Sequence, residues 1–385
     1  MSKVKFGDVV REVKKKIDRN NNPYEHYVAG HHMDTEDLRI RRRGRFDTDD
    51  VGPAFIRVFE KGQILYGSRR TYLKKVAVAD FDGITANTTF VLETKNEQVL
   101  RHKLIPFIML SEGFTQWSIM KSKGSTNPYV LFSDLAGYEF ELPTIEQQDK
   151  LVELLWGFVE LQDAYNALLK QTDELVKSQF IELFGDPVYN SGDWKRSTFG
   201  KEFEIFSGGT PSTSIADFWN DGTIPWIGSN MCQDLVLKTT DGKYITNEGL
   251  LKSSTKWVHP GYVLVALVGA TIGKTALLTL STTINQNMAA INVPSNPNFT
   301  AEYIFMLMRH LYSRFVELGN GGFKMANLSF VRSLPLPMPP LELQNRYSEL
   351  FQQLDKSKFS LRMEQNTIRG SDMITLSYWS KTGLA

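Results

Sequence analysis

The stretch LPTIEQQ at residues 142–148 returns as MPPLELQ at residues 338–344. In both stretches a proline falls in the first turn of a predicted helix, where its missing N–H costs nothing, and Glu and Gln follow within that turn. Behind the first stretch, apolar residues recur three, four or seven positions apart, and the run ends at a Gly-Asp-Pro stop, Gly185 to Pro187. The members of this stripe are Leu151, Leu155, Phe158, Tyr165, Leu169, Val176 and Phe180. The sequence therefore predicts two long helices, over 144–186 and 341–385.

The two helix starts are the last of several landmarks that occur twice in the same order. The offset between copies stays between 193 and 200 residues, so no large insertion separates them. The paired landmarks are FG at 6–7 and 199–200, GQIL at 62–65 and GYVL at 261–264, ITAN at 84–87 and INQN at 284–287, and helical patterns at 104–120 and 301–318. The alternative is coincidence among ordinary strands and turns. A true repeat predicts a pseudo-two-fold molecule.

Between the landmarks, short strands, turns and one or two helices alternate, which indicates mixed α/β (α+β) units. We predict two similar domains, over 1–143 and 187–340, separated by the long helices of 144–186 and 341–385. Because each helix carries one apolar stripe, the simplest arrangement is an antiparallel coiled coil. The alternative is that each helix packs separately onto its neighbouring domain.

Charge and composition exclude several classes of protein. A net charge of +1, from 44 basic and 43 acidic residues, carries no global signature of a nucleic-acid binder, so any DNA-binding face must be local. The single cysteine, Cys232, rules out an internal disulfide and fits a reducing compartment, and the six histidines show no metal-ligand spacing. No apolar run reaches the roughly 18 residues of a membrane span. We expect a cytoplasmic protein without membrane contact and without a bound metal.

The first domain holds two basic stretches. Residues 39–45 contain five arginines in seven positions, with aspartates on both sides, so a solvated loop that neutralises itself competes with a DNA-binding loop. Residues 66–75 interleave aromatic, hydroxyl and cationic side chains, a combination that suits guanine edges and phosphates. The candidate DNA-binding residues here are Arg41, Arg42, Arg43, Ser68, Arg69, Arg70, Lys74 and Lys75.

The corresponding place in the second domain reads VGATIGKT at 268–275 and looks like a phosphate loop. It has three residues, not four, between the first glycine and Gly-Lys-Thr, so consecutive N–H groups would not wrap a β-phosphate. A turn whose Lys and Thr meet DNA phosphates is the better interpretation. Polar loops around 207–212 and 226–230 would let a backbone approach a ligand, although ordinary turns share that composition. The candidates are Thr210, Ser229, Asn230, Lys274, Thr275, Asn285 and Lys324.

Catalytic motifs of hydrolases, metalloproteases, dinucleotide enzymes and adenine methyltransferases were not found, and the stretch Asn127-Pro128-Tyr129 indicates a turn. A non-catalytic protein is therefore expected. The alternatives are a protein scaffold, or a stand-alone DNA nuclease or methyltransferase with an unrecognised site.

The doubled layout, the two Pro-marked helix starts, the helix exit at 177–187 and the loops at 269–274 and 285–287 together resemble the specificity subunits of type I restriction-modification enzymes. The resemblance covers essentially the whole chain. It implies two target-recognition domains that each read half of a split, asymmetric double-stranded DNA sequence, with the helices as spacer. It also implies that the helices bind two modification (methyltransferase) subunits and, through them, restriction subunits. S-adenosylmethionine, ATP and magnesium would belong to those partners, with no cofactor in this subunit. Trp156, Phe351 and Trp379 are predicted to be exposed aromatics that the complex covers, although Trp156 could instead complete the coil.

Overall fold

The computed structural model describes the backbone of residues 2–18, 21–189, 191–319 and 325–382, with side chains as far as residue 367 in the last helix. The chain divides into two compact units. The first unit contains Met1–Asn166 and Arg362–Ala385, and the second unit contains Ala167–Leu361. Each long helix therefore contributes to both units.

Over residues 2–18 and 21–142, the described N-terminal part of the first unit has ten short strands and four short helices. In chain order they are β1 (Ser2–Lys5), α1 (Phe6–Val9), β2 (Val10–Val13), β3 (His26–Val28), β4 (Gly44–Arg45), β5 (Phe55–Phe59), β6 (Ile64–Gly67), β7 (Val76–Val78), β8 (Gly83–Ala86), β9 (Thr89–Thr94), α2 (Ile105–Leu110), α3 (Glu112–Met120), α4 (Phe132–Ala136) and β10 (Glu139–Leu142). They form two four-stranded sheets, β2-β9-β6-β7 and β4-β3-β8-β5, and the pair β1-β10. The long helix α5 (Ile145–Phe184) follows.

The second unit repeats this order after α5. Its elements are β11 (Arg196–Thr198), α6 (Phe199–Glu202), β12 (Ile205–Phe206), β13 (Ile224–Ile227), β14 (Leu235–Leu237), β15 (Tyr244–Ile245), α7 (Asn247–Leu251), β16 (Lys256–Val258), β17 (Val263–Ala266), β18 (Thr275–Leu278), β19 (Thr282–Ile284), β20 (Met288–Ile291), α8 (Ala301–His310), α9 (Tyr312–Gly319), α10 (Leu328–Ser333), β21 (Pro335–Pro337) and the long helix α11 (Leu341–Thr382). The sheets are β12-β20-β17-β18-β14, β15-β13-β19-β16 and the pair β11-β21.

The strand orders of the two units correspond one to one, with β14 as an added edge strand in the second. In both units a parallel pair lies at the centre of one four-stranded sheet, β3-β8 in β4-β3-β8-β5 and β13-β19 in β15-β13-β19-β16. In both, the strand before the long helix pairs antiparallel with the first strand of its unit. The predicted mixed α/β fold and its internal repeat are confirmed.

Two fully buried glutamines show the repeat at the level of single hydrogen bonds. Gln148 accepts from the N–H of Arg101 at 2.9 Å and donates to the carbonyls of Val99 and Pro143, both at 3.0 Å. Gln344 makes the same three bonds in the second unit, to Thr300, Asn298 and Pro339, at 3.0 to 3.1 Å. Each side chain ties the start of a long helix to the loop that leads into the helices of its unit.

Local chemistry explains where α5 starts and stops. The Thr144 hydroxyl accepts from the N–H of Gln147, and the Gln147 side chain accepts from the N–H of Thr144, a reciprocal capping box. At the other end Gly185 has a φ of 73°, the left-handed conformation that favours glycine and ends a helix.

The two long helices run antiparallel. In the first unit Tyr165 bonds Glu364 and Asn166 bonds Gln365, both at 2.8 Å. In the second unit the hydroxyl of Tyr347 donates to the carbonyl of Val176 at 3.2 Å, and Lys358 bonds Asp173. Residues late in α5 thus contact residues early in α11, and residues in the middle of α5 contact residues later in α11.

The stripe of α5 also packs into the cores of the units. Leu151 and Leu155 belong to the core of the first unit, and Val176, Phe180 and Phe184 to that of the second. Both arrangements considered from the sequence, the coiled coil and packing onto the domains, therefore apply to different parts of the helix.

Two expectations about the helices need correction, the single helical patterns and the exposure of Phe351. The patterns at 104–120 and 301–318 are each two helices, and in the first the break is at Ser111, whose side chain accepts from Phe114 N–H and starts α3. Phe351 is only 6% exposed because it packs in the second core, so its predicted exposure is wrong. Trp156 packs edge-on against Phe107 and donates to the Lys103 carbonyl. The side chain of Trp379 lies outside the described residues.

In the described part of the chain, every helix is too short or too polar to cross a membrane.

His310 predicts a pH-dependent stability of the second unit. Its ring stacks on Phe180 at 4.7 Å, and its buried Nε2 finds no hydrogen-bond partner among the described residues. Burial, helped by the positive charge of Arg309 and opposed by Asp186, lowers the pKa of His310 to about 4. Because the unfolded chain takes up a proton near pH 6.5 and the folded unit does not, the free energy of unfolding should fall by about 3 kcal/mol as the pH drops from 6.5 to 4. Denaturation at several pH values measures this, and His310→Phe should flatten the profile in that window; an unchanged profile would contradict the assignment.

Candidate nucleic-acid interface

In the first unit, a loop and a turn meet where strands of both sheets end. Strand β6 ends at Gly67, and both the N–H and the hydroxyl of Ser68 donate to the carbonyl of Thr88, at 3.0 and 2.7 Å. Asn87 and Thr88 form the two-residue turn between β8 and β9. The basic loop 68–75 therefore lies beside this turn.

A second loop, over residues 121–130, joins them. The N–H of Arg70 donates to the Pro128 carbonyl at 2.7 Å, and Lys123 and Tyr129 exchange two backbone bonds, at 2.8 and 2.9 Å. The stretch Asn127-Pro128-Tyr129, predicted to be a turn, lies in this loop. We call six of the exposed residues of these three segments, Arg69, Arg70, Tyr72, Asn87, Lys123 and Tyr129, the first edge.

The first edge combines cations with aromatic rings. The Arg69 guanidinium lies 5.8 Å from the centre of the Tyr129 ring, and Tyr72 is 52% exposed. Arg70 and Lys74 both adopt left-handed backbone conformations, with φ of 51° and 45°, on either side of the short 3-10 turn that carries Tyr72. Non-glycine residues in this region store strain that the surrounding contacts must hold, a feature that concentrates at functional sites.

The other predicted residues of this stretch have internal partners. Lys74 pairs with Glu36 at 3.0 Å, the ammonium of Lys75 donates to the Gly30 carbonyl, and Ser68 is buried. These three residues hold the loop in place, whereas Arg69 and Arg70 are exposed at its tip.

The arginine cluster of residues 39–45 is largely neutralised by carboxylates. Arg41 pairs with Asp37 and, together with Arg39, with Asp163 of α5; these contacts raise the pKa of Arg41. Arg42 pairs with Asp34, and Arg43 lies over the Phe81 ring at 5.0 Å. These pairs favour the self-neutralising interpretation for Arg41 and Arg42, and their contact with DNA remains a prediction.

The second unit has the same loop beside the same turn. The N–H of Leu267 donates to the Asn287 carbonyl at 2.9 Å, and the N–H of Ala326 donates to Leu267 at 2.8 Å. Three residues, Asn285, Gln286 and Asn287, connect β19 to β20, and the turn itself is at Gln286 and Asn287. We call loop 268–274, this turn and the adjacent Asn230 the second edge.

Lys274 and Thr275 are organised around one carboxylate. The Lys274 ammonium lies 2.9 Å from Asp234, whose other oxygen accepts from the N–H and the hydroxyl of Thr275 at 3.0 and 3.2 Å. Thr275 is fully buried, whereas the Lys274 side chain is 37% exposed. In this conformation Lys274 faces solvent and Thr275 supports the loop.

The polar candidates of the second unit likewise divide into buried residues that support the loops and exposed residues that face solvent. Asn285 is 7% exposed, and its side chain accepts from the N–H of Asn287 at 3.0 Å. The exposed amide of that stretch is Gln286, whose Oε1 accepts from the Thr210 hydroxyl at 2.7 Å. Asn230 is exposed in the 3-10 turn Ser229–Met231, directly after β13. Lys324 lies outside the described residues.

Sequence reasoning missed Asn87, Lys123, Tyr129 and Gln286. Asn87 and Gln286 both lie in the repeated ITAN and INQN landmarks. Aligned letter by letter, those landmarks match Asn87 with Asn287, and the strand register shifts the match by one residue, to Gln286. Lys123 and Tyr129 reach the first edge only through the backbone pairing of loop 121–130.

The chemistry of both edges suits nucleic acid. Guanidinium and ammonium groups contact phosphates, and amides present a donor and an acceptor side by side to base edges. Within the described ranges, no group of three or more His, Cys, Asp or Glu side chains is placed to hold a metal ion.

The sequence of these two similar units matches a known protein family. The family model described as the type I restriction modification DNA specificity domain matches residues 40–174 and 191–368. The chain belongs to this family and contains two copies of its domain.

Individual relatives agree. A type I restriction enzyme specificity subunit of Escherichia coli is 26% identical over 234 residues, 58% of this chain and 57% of that protein. The putative type I restriction enzyme MjaX specificity subunit of Methanocaldococcus jannaschii is 23% identical over 321 residues, 76% and 72% of the two chains. The chain thus matches little more than half the length of the first of these relatives.

Solved structures share the fold. The type I restriction-modification S subunit of M. genitalium superposes with a TM-score of 0.60 at 15% identity, covering 98% of this chain and 95% of that one. A chain from a study of complex assembly and conformational transition of the type I R-M system gives 0.54 at 20% identity, covering 100% and 98%.

Proposed function

We propose that this chain is the DNA-recognition subunit of a type I restriction-modification complex, in which each unit reads one half of an asymmetric bipartite target. One observation carries the proposal: the same strand order presents the same loop and turn in both units, but with different exposed side chains. Because the two units share a fold but expose different side chains at their edges, each unit reads a different DNA half-site.

The first edge supplies mainly Arg69 and Arg70, together with Lys123, whose ammonium also pairs with Asp134 at 3.1 Å. The second edge supplies Lys274 with the amides Asn230 and Gln286. Cations anchor the phosphates and fix register, and amides discriminate bases. The helices act as the spacer that sets the unread gap between half-sites, as subunit spacing does in dimeric DNA-binding proteins.

The long helices also provide a docking surface for two modification subunits, through which restriction subunits join. Leu154, Leu161, Leu168 and Leu175 recur every seven residues on α5, and each is 42 to 48% exposed. Seven residues are close to two helical turns, so these side chains follow one face of the helix. An exposed heptad stripe of leucines favours a partner helix.

Catalysis belongs to those partners. In the proposed complex they bind S-adenosylmethionine, ATP and magnesium, this subunit binds double-stranded DNA without a cofactor of its own, and the assembly works in the cytoplasm. We expect that this chain, incubated alone with DNA, magnesium and S-adenosylmethionine, leaves the DNA unmodified.

Methylome sequencing tests the proposal. Cells that express the modification subunit of the same complex are compared with and without this chain. A split, asymmetric methylated motif that appears only with the chain is the expected result, and it supplies both half-sites and the gap. If the complex assembles and no new motif appears, the chain is a scaffold and the proposal fails.

Replacing Arg69 and Arg70 together by alanine should impair recognition of one half-site only. Each lost bidentate arginine contact costs about 1 to 3 kcal/mol, so the loss of both should weaken binding to that half-site about thirtyfold or more. Binding is measured at fixed salt on DNA with either half-site scrambled. Lys170→Ala with Lys177→Ala, on the exposed surface of α5, is the control of equal charge change. An equal loss at both half-sites would contradict the assignment.

A further inference from the structure

The two edges share one feature at equivalent positions: an exposed amide at the tip of the turn that connects the two sheets. In the first unit Asn87 follows β8, and the next residue leads into β9 of the other sheet. In the second unit Gln286 occupies the matching place between β19 and β20. The residues just before them, Ala86 and Asn285, are both buried.

The backbone of each turn is held by its surroundings. The N–H of Asn87 donates to the Ala54 carbonyl at 2.9 Å, and Ser68 bonds the carbonyl of Thr88. In the second unit, Asn287 accepts from the N–H of Leu267 and donates its own N–H to the side chain of Asn285. A fixed backbone lowers the entropic cost of placing one short side chain against a base.

The Gln286 side chain is also oriented. Its Oε1 accepts from the Thr210 hydroxyl at 2.7 Å, which leaves a second lone pair on that oxygen and both N–H groups of the amide. Gln286 is exposed, so these groups are available to a ligand.

A carboxamide matches the major-groove edge of adenine, because its oxygen accepts from N6 while its N–H donates to N7. We propose that Asn87 and Gln286 each read one adenine, in the half-site of the first and the second unit respectively. This inference rests on the proposed function, because it requires each unit to read its own half-site.

The test is a binding selection from randomised double-stranded DNA, using the full chain in complex with its modification subunit. The informative variants are Gln286→Glu and Asn87→Asp, which keep the shape of the side chain but make it an acceptor only. A carboxylate accepts from N4 of cytosine and cannot donate to N7 of adenine. Gln286→Glu should shift one position of one half-site from adenine to cytosine, with an about tenfold to hundredfold change in relative affinity. Asn87→Asp should do the same in the other half-site only.

Matched variants separate this effect from a general loss of binding. Asn220→Asp makes the same amide-to-acid change at an exposed position just before β13, at the opposite end of that strand from Asn230, and should leave the selected motif unchanged. Gln286→Ala should relax the same single position without a new preference, and it serves as the second measurement if the acidic variant folds poorly.

The outcomes are distinguishable. If the wild-type complex selects no bipartite motif, the proposed function fails and this inference with it. If the wild type selects a bipartite motif but Gln286→Glu and Gln286→Ala both retain every adenine preference, the proposed function stands and the adenine assignment is wrong. Weakening of both half-sites by one variant would likewise overturn the assignment.

Discussion

Replacing Gln344 by alanine is expected to lower the free energy of unfolding of the second unit by about 3 to 5 kcal/mol, because three buried backbone groups lose their partner at once. These groups are the N–H of Thr300 and the carbonyls of Asn298 and Pro339. Gln344 is fully buried, so its removal also leaves a cavity. Hydrogen exchange, resolved by segment, measures the effect in each unit separately.

The internal repeat supplies the controls. Gln148→Ala should destabilise the first unit by a similar amount, because Gln148 makes the corresponding three bonds there. Gln353→Ala, at an exposed position of α11, should change stability by less than about 0.5 kcal/mol. A loss for Gln353→Ala as large as that for Gln344→Ala would show that the hydrogen bonds are not the cause.

Replacing Leu168 and Leu175 together by lysine should weaken binding of the modification subunit about a hundredfold or more, because burying each leucine against a partner contributes roughly 1.5 to 3 kcal/mol. Both side chains are exposed in this chain, at 46 and 44%, so the fold of the second unit should be unaffected. Titration of the purified chain with modification subunit, followed by light scattering or calorimetry, measures the affinity and the number of subunits bound.

The matched variant changes the other side of the same helix. Lys170 and Lys177 each lie two positions beyond these leucines, about 200° around the helix axis. Lys170→Gln with Lys177→Gln should leave binding of the modification subunit within about twofold, the scatter of surface substitutions. If the leucine variant binds as tightly as the wild type, the docking surface lies elsewhere.

Much of the architecture was predictable from the sequence. The repeat, the two long helices and the mixed α/β units rest on local signals: turn glycines ahead of apolar strands, prolines that the structure places just before the two helix starts, and apolar residues at helical spacing. These signals act over a few residues, through backbone conformation and the period of burial, so they remain visible without knowledge of the fold.

The functional surface was less predictable, because exposure in loops depends on distant partners. Arg41 appeared as available as Arg69 in the sequence, yet it pairs with Asp163, more than a hundred residues away. Asn285 and Gln286 are neighbours with the same chemistry, and only the turn between β19 and β20 buries the first and exposes the second. Phe351 looked like an exposed residue of the helix until the core of the second unit was seen to cover it.

The sequence by itself thus determined that this protein is a doubled molecule with long helices and basic loops at corresponding places, because periodicity and turn chemistry are local properties. The tertiary structure alone decided which cations are neutralised, which amides face solvent and which apolar positions remain uncovered. Those properties depend on ion pairs, backbone pairings and burial between residues far apart in the chain, which no local pattern records.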